Sequence, residues 1–214
     1  MQIRRTANAG VLLNLDGVSI LLDGVCREVK PYPATPPGER NRLITCYPDV
    51  VAFTHGHKDH YDPAYAAEYR RQTGGVILGP QGIRDGSMEP IRVGQVTVMP
   101  VPSRHIGAAG KTTPHASYII CGTQCVWFLG DAAPSQWRSR TDLPKPNVLI
   151  VPYAYALTPA GWSLTQSLGA ESVVLLHLPE EESAAPELWQ GVKDTLGDLA
   201  LVRIPGICES LDVQ

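Results

Sequence analysis

Apolar positions along this chain come in short runs separated by turn residues. Residues 9–15 and 18–23 form two such runs joined by Asp16-Gly17, a dipeptide suited to a two-residue β-turn, so a hairpin is expected near the N-terminus. Residues 24–48 change character: five prolines interrupt them, which predicts no regular element but a stiffened loop able to form a rim or lid. An apolar run, Val50-Val51-Ala52-Phe53, follows. Residues 63–72 have helical spacing, with Pro63 in the first turn and Gly74-Gly75 as a stop. Val76-Ile77-Leu78 and residues 95–101 read as strands, which gives β-α-β in the first half. The second half repeats the theme. Residues 116–121 and 125–129 predict another hairpin, 147–151 a buried strand ending at Pro152, and Thr158-Pro159 the cap and first turn of a helix to about Leu168. Residues 172–177 are one more buried strand, followed by a helix near 186–196 and a short strand at 200–204.

The chemistry is concentrated just after the run at 50–53, in Thr54-His55-Gly56-His57-Lys58-Asp59-His60. Three imidazoles and a carboxylate this close cannot all be buried as spectators, because their polar atoms must be paired or bound to something. A metal satisfies them. His55 and His57 lie two apart and point the same way from an extended strand exit, whereas Asp59 and His60 fall where the chain turns and face a second position. The spacing therefore suggests two adjacent metals. The strand at 95–101 runs through Pro102-Ser103-Arg104 into His105, another strand-exit histidine. His115 is its rival, but His105 is preferred because a ligand should stand on a rigid element. The strand at 125–129 ends in Gly130-Asp131, where a glycine would let the backbone approach a metal pair closely. The strand at 172–177 ends in His177.

His-x-His-x-Asp-His at a strand end, followed in order by His105, Gly130-Asp131 and His177, resembles the metallo-β-lactamase superfamily. The likeness is clearest over residues 8–178 and implies an α/β fold, a four-layer αββα sandwich, with the whole of residues 1–214 as one hydrolase domain. It implies His55, His57 and His105 at metal 1, Asp59, His60 and His177 at metal 2, and Asp131 shared by both. The aspartate closing the second strand, Asp23, would then support the metal site from behind. Two metals lower the pKa of a bridging water and polarise a carbonyl or phosphoryl oxygen, so hydrolysis is the implied reaction, with Asp59 placed to hold the water or relay its proton. The pattern is similar to the small single-domain, lactonase-like members. It departs from true β-lactamases, several of which carry cysteine where Asp131 stands, and from glyoxalase-II-type thioesterases, whose added helical domain has no room here.

Composition narrows the rest. The ligand set of imidazole and carboxylate suits Zn²⁺ and also admits Mn²⁺ or Fe²⁺. At 214 residues and 43% hydrophobic content, one sizeable core is affordable. A net charge of -3 without charge runs argues against nucleic acid as a partner. Five irregularly spaced cysteines read as reduced thiols of a cytoplasmic protein, with Cys121 and Cys125 as a cross-strand pair. No apolar stretch approaches a membrane span, and no signal peptide is expected. The substrate should be a small molecule such as an ester, lactone or amide. The basic residues of 24–48 would favour an anionic one, and Tyr153, Tyr155, Trp162, Trp137 and Arg138 are candidate walls. A phosphodiesterase, with a clamp from Lys58, Arg104, Lys111 or Arg138, is the rival activity. A non-catalytic binding member of the fold is the third reading, and the complete ligand set speaks against it.

Overall fold

The computed structural model describes residues 1–179, 185–197 and 201–213, apart from the side chains at 109 and 111. Among them the elements run β1 (Gln2–Arg5), β2 (Val11–Leu15), β3 (Val18–Leu22), α1 (Pro37–Thr45), β4 (Val50–Ala52), α2 (Pro63–Thr73), β5 (Ile77–Leu78) and β6 (Gly86–Ser87). Then come β7 (Ile91–Val93), β8 (Val96–Arg104), β9 (Pro114–Cys121), β10 (Cys125–Phe128), β11 (Val148–Pro152), α3 (Ala154–Leu157) and α4 (Pro159–Leu168). The described chain closes with β12 (Ser172–Leu176), α5 (Pro186–Leu196), β13 (Val202–Arg203) and β14 (Ser210–Asp212).

Two seven-stranded mixed sheets result, in the orders β14-β1-β2-β3-β4-β5-β6 and β13-β12-β11-β10-β9-β8-β7. Alternation along each strand sorts its side chains between two cores. Leu13 and Ile20 of the first sheet meet Tyr118, Phe128 and Ile150 of the second in the central core. Leu21, Val51 and Phe53 turn the other way, toward Leu43 of α1 and Tyr65 and Tyr69 of α2. On the outer face of the second sheet Trp127, Leu149 and Leu175 pack with Tyr155 of α3, Leu164 of α4 and Val192 of α5. The order helix, sheet, sheet, helix is the expected four-layer sandwich. Because the central strands are covered on both faces, they read as continuous apolar runs.

The hairpin at Asp16-Gly17 forms with both residues at positive φ, 50° and 79°. The expectation for 24–48 needs correction. Its second half holds α1, whose Pro37 sits in the first turn, where a missing N–H costs nothing, and no further proline follows until Pro48. The basic residues of α1 are engaged with carboxylates: Glu39 is held by Arg4 and Arg42, and Arg40 lies 3.5 Å from Asp62. The expected strand at 200–204 is β13 over Val202–Arg203, and its first residue lies outside the described ones. No helix among the described residues is long and apolar enough to cross a membrane.

Candidate metal centre

Parallel strands β3 and β4 end side by side, and their carboxyl ends deliver Asp23 and the Thr54–His60 turn to the same edge. The turn folds back on itself through His60 N–H and Tyr61 N–H, which both donate to the His57 carbonyl. Asp62 then caps α2 by accepting from the Ala64 N–H. From the opposing sheet, β8 delivers His105, β10 delivers Asp131 and β12 delivers His177, which leaves its strand at φ 68°. The loops are tied across the gap: the Ile106 N–H donates to the Asp131 carbonyl at 2.7 Å and the Ala116 N–H to the Thr54 carbonyl at 2.9 Å.

The seven sequence-predicted residues converge. His55, His57 and His105 offer one nitrogen each within 4.8 Å of one another; His55, His60 and Asp131 form a second such group, and Asp59, His60 and His177 a third. One Asp131 oxygen, Oδ2, lies 3.4 Å from His60 Nε2, 3.6 Å from His105 Nε2 and 3.7 Å from His177 Nε2, so a single carboxylate faces both halves of the cluster. His177 Nε2 is 3.1 Å from His60 Nε2 and 3.3 Å from Asp59 Oδ2.

Hydrogen bonds behind the imidazoles decide which nitrogen carries a lone pair. Asp23 Oδ2 is 2.8 Å from His60 Nδ1, and a carboxylate can only accept, so the proton is on Nδ1. The Thr54 hydroxyl spends its one proton on Asp23, at 2.6 Å, and therefore accepts from His55 Nδ1 at 2.9 Å. The Ile106 carbonyl accepts from His105 Nδ1 at 2.8 Å. Each of these histidines thus turns its Nε2 toward the cluster, and those of His55 and His105 are buried without a hydrogen-bond partner among the described residues. Unpaired buried acceptors converging on one point fit a cation.

Charge follows the same logic. Burial opposes ionising Asp131, yet the His60 and His177 imidazoles outweigh it and hold the carboxyl well below the usual range. Burial likewise opposes charge on His60, but Asp131 and Asp23 raise it well above an ordinary histidine. The carboxylates that favour a proton on His60 favour a metal cation there as well. Burial depresses His55 strongly, and pushes His115 down to about 3.

His115 joins the cluster rather than replacing His105. Its ring lies 5.1 Å from that of His55 and 5.7 Å from that of His105, so all six histidines of the chain gather in one place. Ser117 gives its hydroxyl proton to the Leu129 carbonyl at 2.8 Å, Ser103 gives its own to Ser117 at 3.1 Å, and His115 Nδ1 must donate to Ser103 at 2.6 Å. His115 Nε2 is consequently another buried, unpaired acceptor.

Beside the cluster opens a pocket of about 210 Å³ lined by Tyr32, Ile106, Asp131, Pro152, Tyr153, Ala154 and His177. Tyr32 stacks edge-on against His177 with ring centres 4.5 Å apart, and its hydroxyl is 3.4 Å from that of Tyr153. Burial, helped by the Tyr153 hydroxyl and by Asp131, raises the Tyr32 phenol, which stays protonated and able to donate.

No family model and no curated protein matches the chain. Solved structures do. Igni18, a metallo hydrolase from the archaeon Ignicoccus hospitalis, aligns over 100% of this chain and 99% of its own, with TM-score 0.66 and 20% identity. The isothiocyanate hydrolase from Delia radicum gut bacteria aligns over 99% of both chains, with TM-score 0.71 and 16% identity. YhfI from Bacillus subtilis, a metallo-β-lactamase fold protein, does so over 99% of both at TM-score 0.65 and 15% identity. The chain has the metallo-β-lactamase fold.

Within that metallo-β-lactamase fold, Asp23 stands behind the cluster as the sequence resemblance implied, accepting from the Thr54 N–H, the Thr54 hydroxyl and His60. Of the five residues expected as walls, Tyr153 alone lines the pocket. Tyr155 is buried, with its hydroxyl on the Ala132 carbonyl, and Trp137 is core against Trp127. Trp162 packs at the edge of the outer helical core, and Arg138 is exposed. Gly130 serves a different purpose from the one expected. At φ 53° it presses on Thr54, whose Cγ2 would lie 2.6 Å from an added Cβ, so the glycine lets Asp131 close on the His55 loop. Tyr32 and Asn8 were not singled out by sequence reasoning. A tyrosine in a proline-rich segment and an asparagine ahead of a strand carry no signal without the topology.

Proposed function

We propose that the protein is a hydrolase that uses two divalent metal ions, most simply Zn²⁺, on an ester, lactone or related carbonyl substrate. The observation that carries this reading is the set of bare, buried Nε2 atoms and the single Asp131 oxygen facing both halves of the cluster. His55, His57 and His105 would hold one ion, Asp59, His60 and His177 the other, and Asp131 both. Such ions, when bound, bring the pKa of a water molecule toward neutrality and polarise a carbonyl oxygen. The chain's own residues do the remainder. Asp59, half-buried beside His177, accepts a proton and passes it toward the leaving group. Tyr32 and Tyr153 donate hydrogen bonds to substrate oxygens in the pocket, while Ile106, Pro152 and Ala154 exclude water from its apolar part.

The carbonyl reading is supported over the phosphodiester one by the lining. Among the described residues it contains no lysine or arginine. Arg104 is turned to Ser135, at 3.2 Å, Lys58 and Arg138 are exposed, and the Lys111 side chain lies outside the described ones. Of the basic residues of 24–48 from which an anionic substrate was expected, Arg40 and Arg42 face carboxylates elsewhere, while Arg27 and Lys30 are exposed. The test is metal analysis of untagged protein followed by turnover of γ- and δ-lactones, p-nitrophenyl acetate, a thioester and bis(p-nitrophenyl) phosphate. Near two ions per chain with turnover of a carbonyl substrate is the expected result. Turnover of the phosphodiester alone overturns the substrate class, and failure to take up metal overturns the hydrolase.

A further inference from the structure

We propose that the carboxamide of Asn8 is a positioning residue for His177, presenting Oδ1 to its Nδ1–H and so fixing the tautomer through which Nε2 coordinates metal; this rests on the dinuclear reading above. A metal-bound imidazole almost always donates its other N–H to an acceptor held by the protein. His55, His60 and His105 have such acceptors in Thr54, Asp23 and the Ile106 carbonyl. His177 faces an amide instead. Asn8 Nδ2 lies 3.3 Å from His177 Nδ1, and an NH₂ group can only donate. In that orientation Nδ1 is the acceptor and the proton sits on Nε2, 3.1 Å from the Nε2 of His60 and 3.3 Å from Asp59.

No hydrogen bond of Oδ1 opposes a second orientation of Asn8. Its Oδ1 is buried and has no hydrogen-bond partner among the described residues. Half a turn about the Cβ–Cγ bond exchanges Oδ1 for Nδ2 at His177. The proton then moves from Nε2 to Nδ1 by way of solvent, the imidazole stays neutral, and Nε2 gains the lone pair a metal needs. No net proton is released by this exchange.

Asn8 is fully buried, and its carbonyl accepts from the His177 N–H at 3.2 Å and from Arg5 Nη2 at 3.0 Å. The Arg5 guanidinium reaches on to the carbonyls of Ala7, Pro205 and Leu178, so it clamps the segments on both sides of the contact. The backbone of Asn8 is thereby fastened to the residue it orients, and the carboxamide is left as the single adjustable part.

Two measurements test the inference. In Zn²⁺-loaded wild-type protein, long-range ¹H–¹⁵N correlation of the imidazoles should show His177 protonated on Nδ1; a proton on Nε2 or none on Nδ1 overturns the proposal whatever the variants do. Competition with a chelating dye should show Asn8→Ala weakening one of two Zn²⁺ sites by about 10- to 100-fold while sparing the other. Asn8→Asp, which offers only acceptor oxygens, should restore both sites. Equal loss in the two variants would mean a packing role, and unchanged binding in Asn8→Ala would mean no role; either overturns it. Wild-type protein that takes up fewer than two ions defeats the dinuclear reading itself, and that failure is read before any variant is made.

Discussion

A single carboxylate, Asp23, fixes the tautomer of His60 directly and that of His55 through Thr54. It is fully buried and sits at φ 48°, a conformation that aspartate and asparagine tolerate better than most side chains. Asp23→Ala should weaken Zn²⁺ binding by about 10- to 100-fold, and it should cost roughly 1–3 kcal/mol for each buried donor left unpaired. Chelator competition and urea unfolding read the two effects separately, and undiminished affinity would assign Asp23 to the fold alone. His55, His57, Asp59 and His60 were legible because they are contiguous in the chain. Asn8 was not, because its partner His177 is 169 positions away and only the sheet order brings them together. His115 carries a pH prediction. Burial lowers it to about 3 in the folded protein, so between the ordinary histidine value of about 6.5 and that value the unfolded chain binds a proton that the folded one does not. Stability of metal-stripped protein should therefore fall as pH drops through this window, by up to about 1.4 kcal/mol per pH unit from this group. Burial also lowers His55 and His57, adding to the slope, whereas His60 is raised and is protonated in both states there. Urea unfolding at pH 7 and pH 5 should show a shallower pH dependence in His115→Gln than in wild type; equal slopes would show that His115 is accessible to protons.

At the scale of elements, the close approach of β10 to the His55 loop depends on Gly130. Gly130→Ala forces a residue with a Cβ to φ 53° and places that Cβ 2.6 Å from Thr54 Cγ2. A cost of about 1–3 kcal/mol is expected from the backbone alone. Because Thr54 must yield, His55 loses its acceptor and metal uptake should fall with stability; a variant that melts early yet binds two ions normally would separate the two. The sequence announced this glycine and its aspartate but not the neighbour they press against, since nothing in a Gly-Asp pair names Thr54. Longer elements were legible where apolar runs are continuous, as in β2, β3, β9, β11 and β12, which are buried on both faces. The helix α1 was hidden because the segment as a whole is rich in proline, although none falls between Pro37 and Pro48 and the residues between are free to be helical. β1 escaped notice because it is four residues long with a polar start, and one of its two partners, β14, lies at the far end of the chain.

The whole molecule places the cluster between its two sheets. His55, His57, Asp59 and His60 follow β4 of the first sheet, and His105, Asp131 and His177 follow strands of the second. Bound metal would therefore join the two halves of the sandwich, and a ligand that binds only the folded protein stabilises it by mass action. At a free concentration of about 100 times the dissociation constant, each site contributes about 2.7 kcal/mol. For a chain of this size each kcal/mol moves the melting temperature by roughly 2–4 °C, so stripping both sites should lower it by roughly 10–20 °C. Asp131 is the carboxylate that faces both halves, with Oδ2 within 3.7 Å of His60, His105 and His177. Asp131→Ala should abolish most of the Zn²⁺-induced rise in melting temperature and lose metal and activity together. Arg138→Ala, at an exposed position that is not among the pocket-lining residues, should keep both. Calorimetry of the two variants with and without Zn²⁺ decides the matter. A full metal-induced shift in Asp131→Ala would mean that each half of the cluster binds its ion without the shared oxygen, and the bridging role would have to be given up.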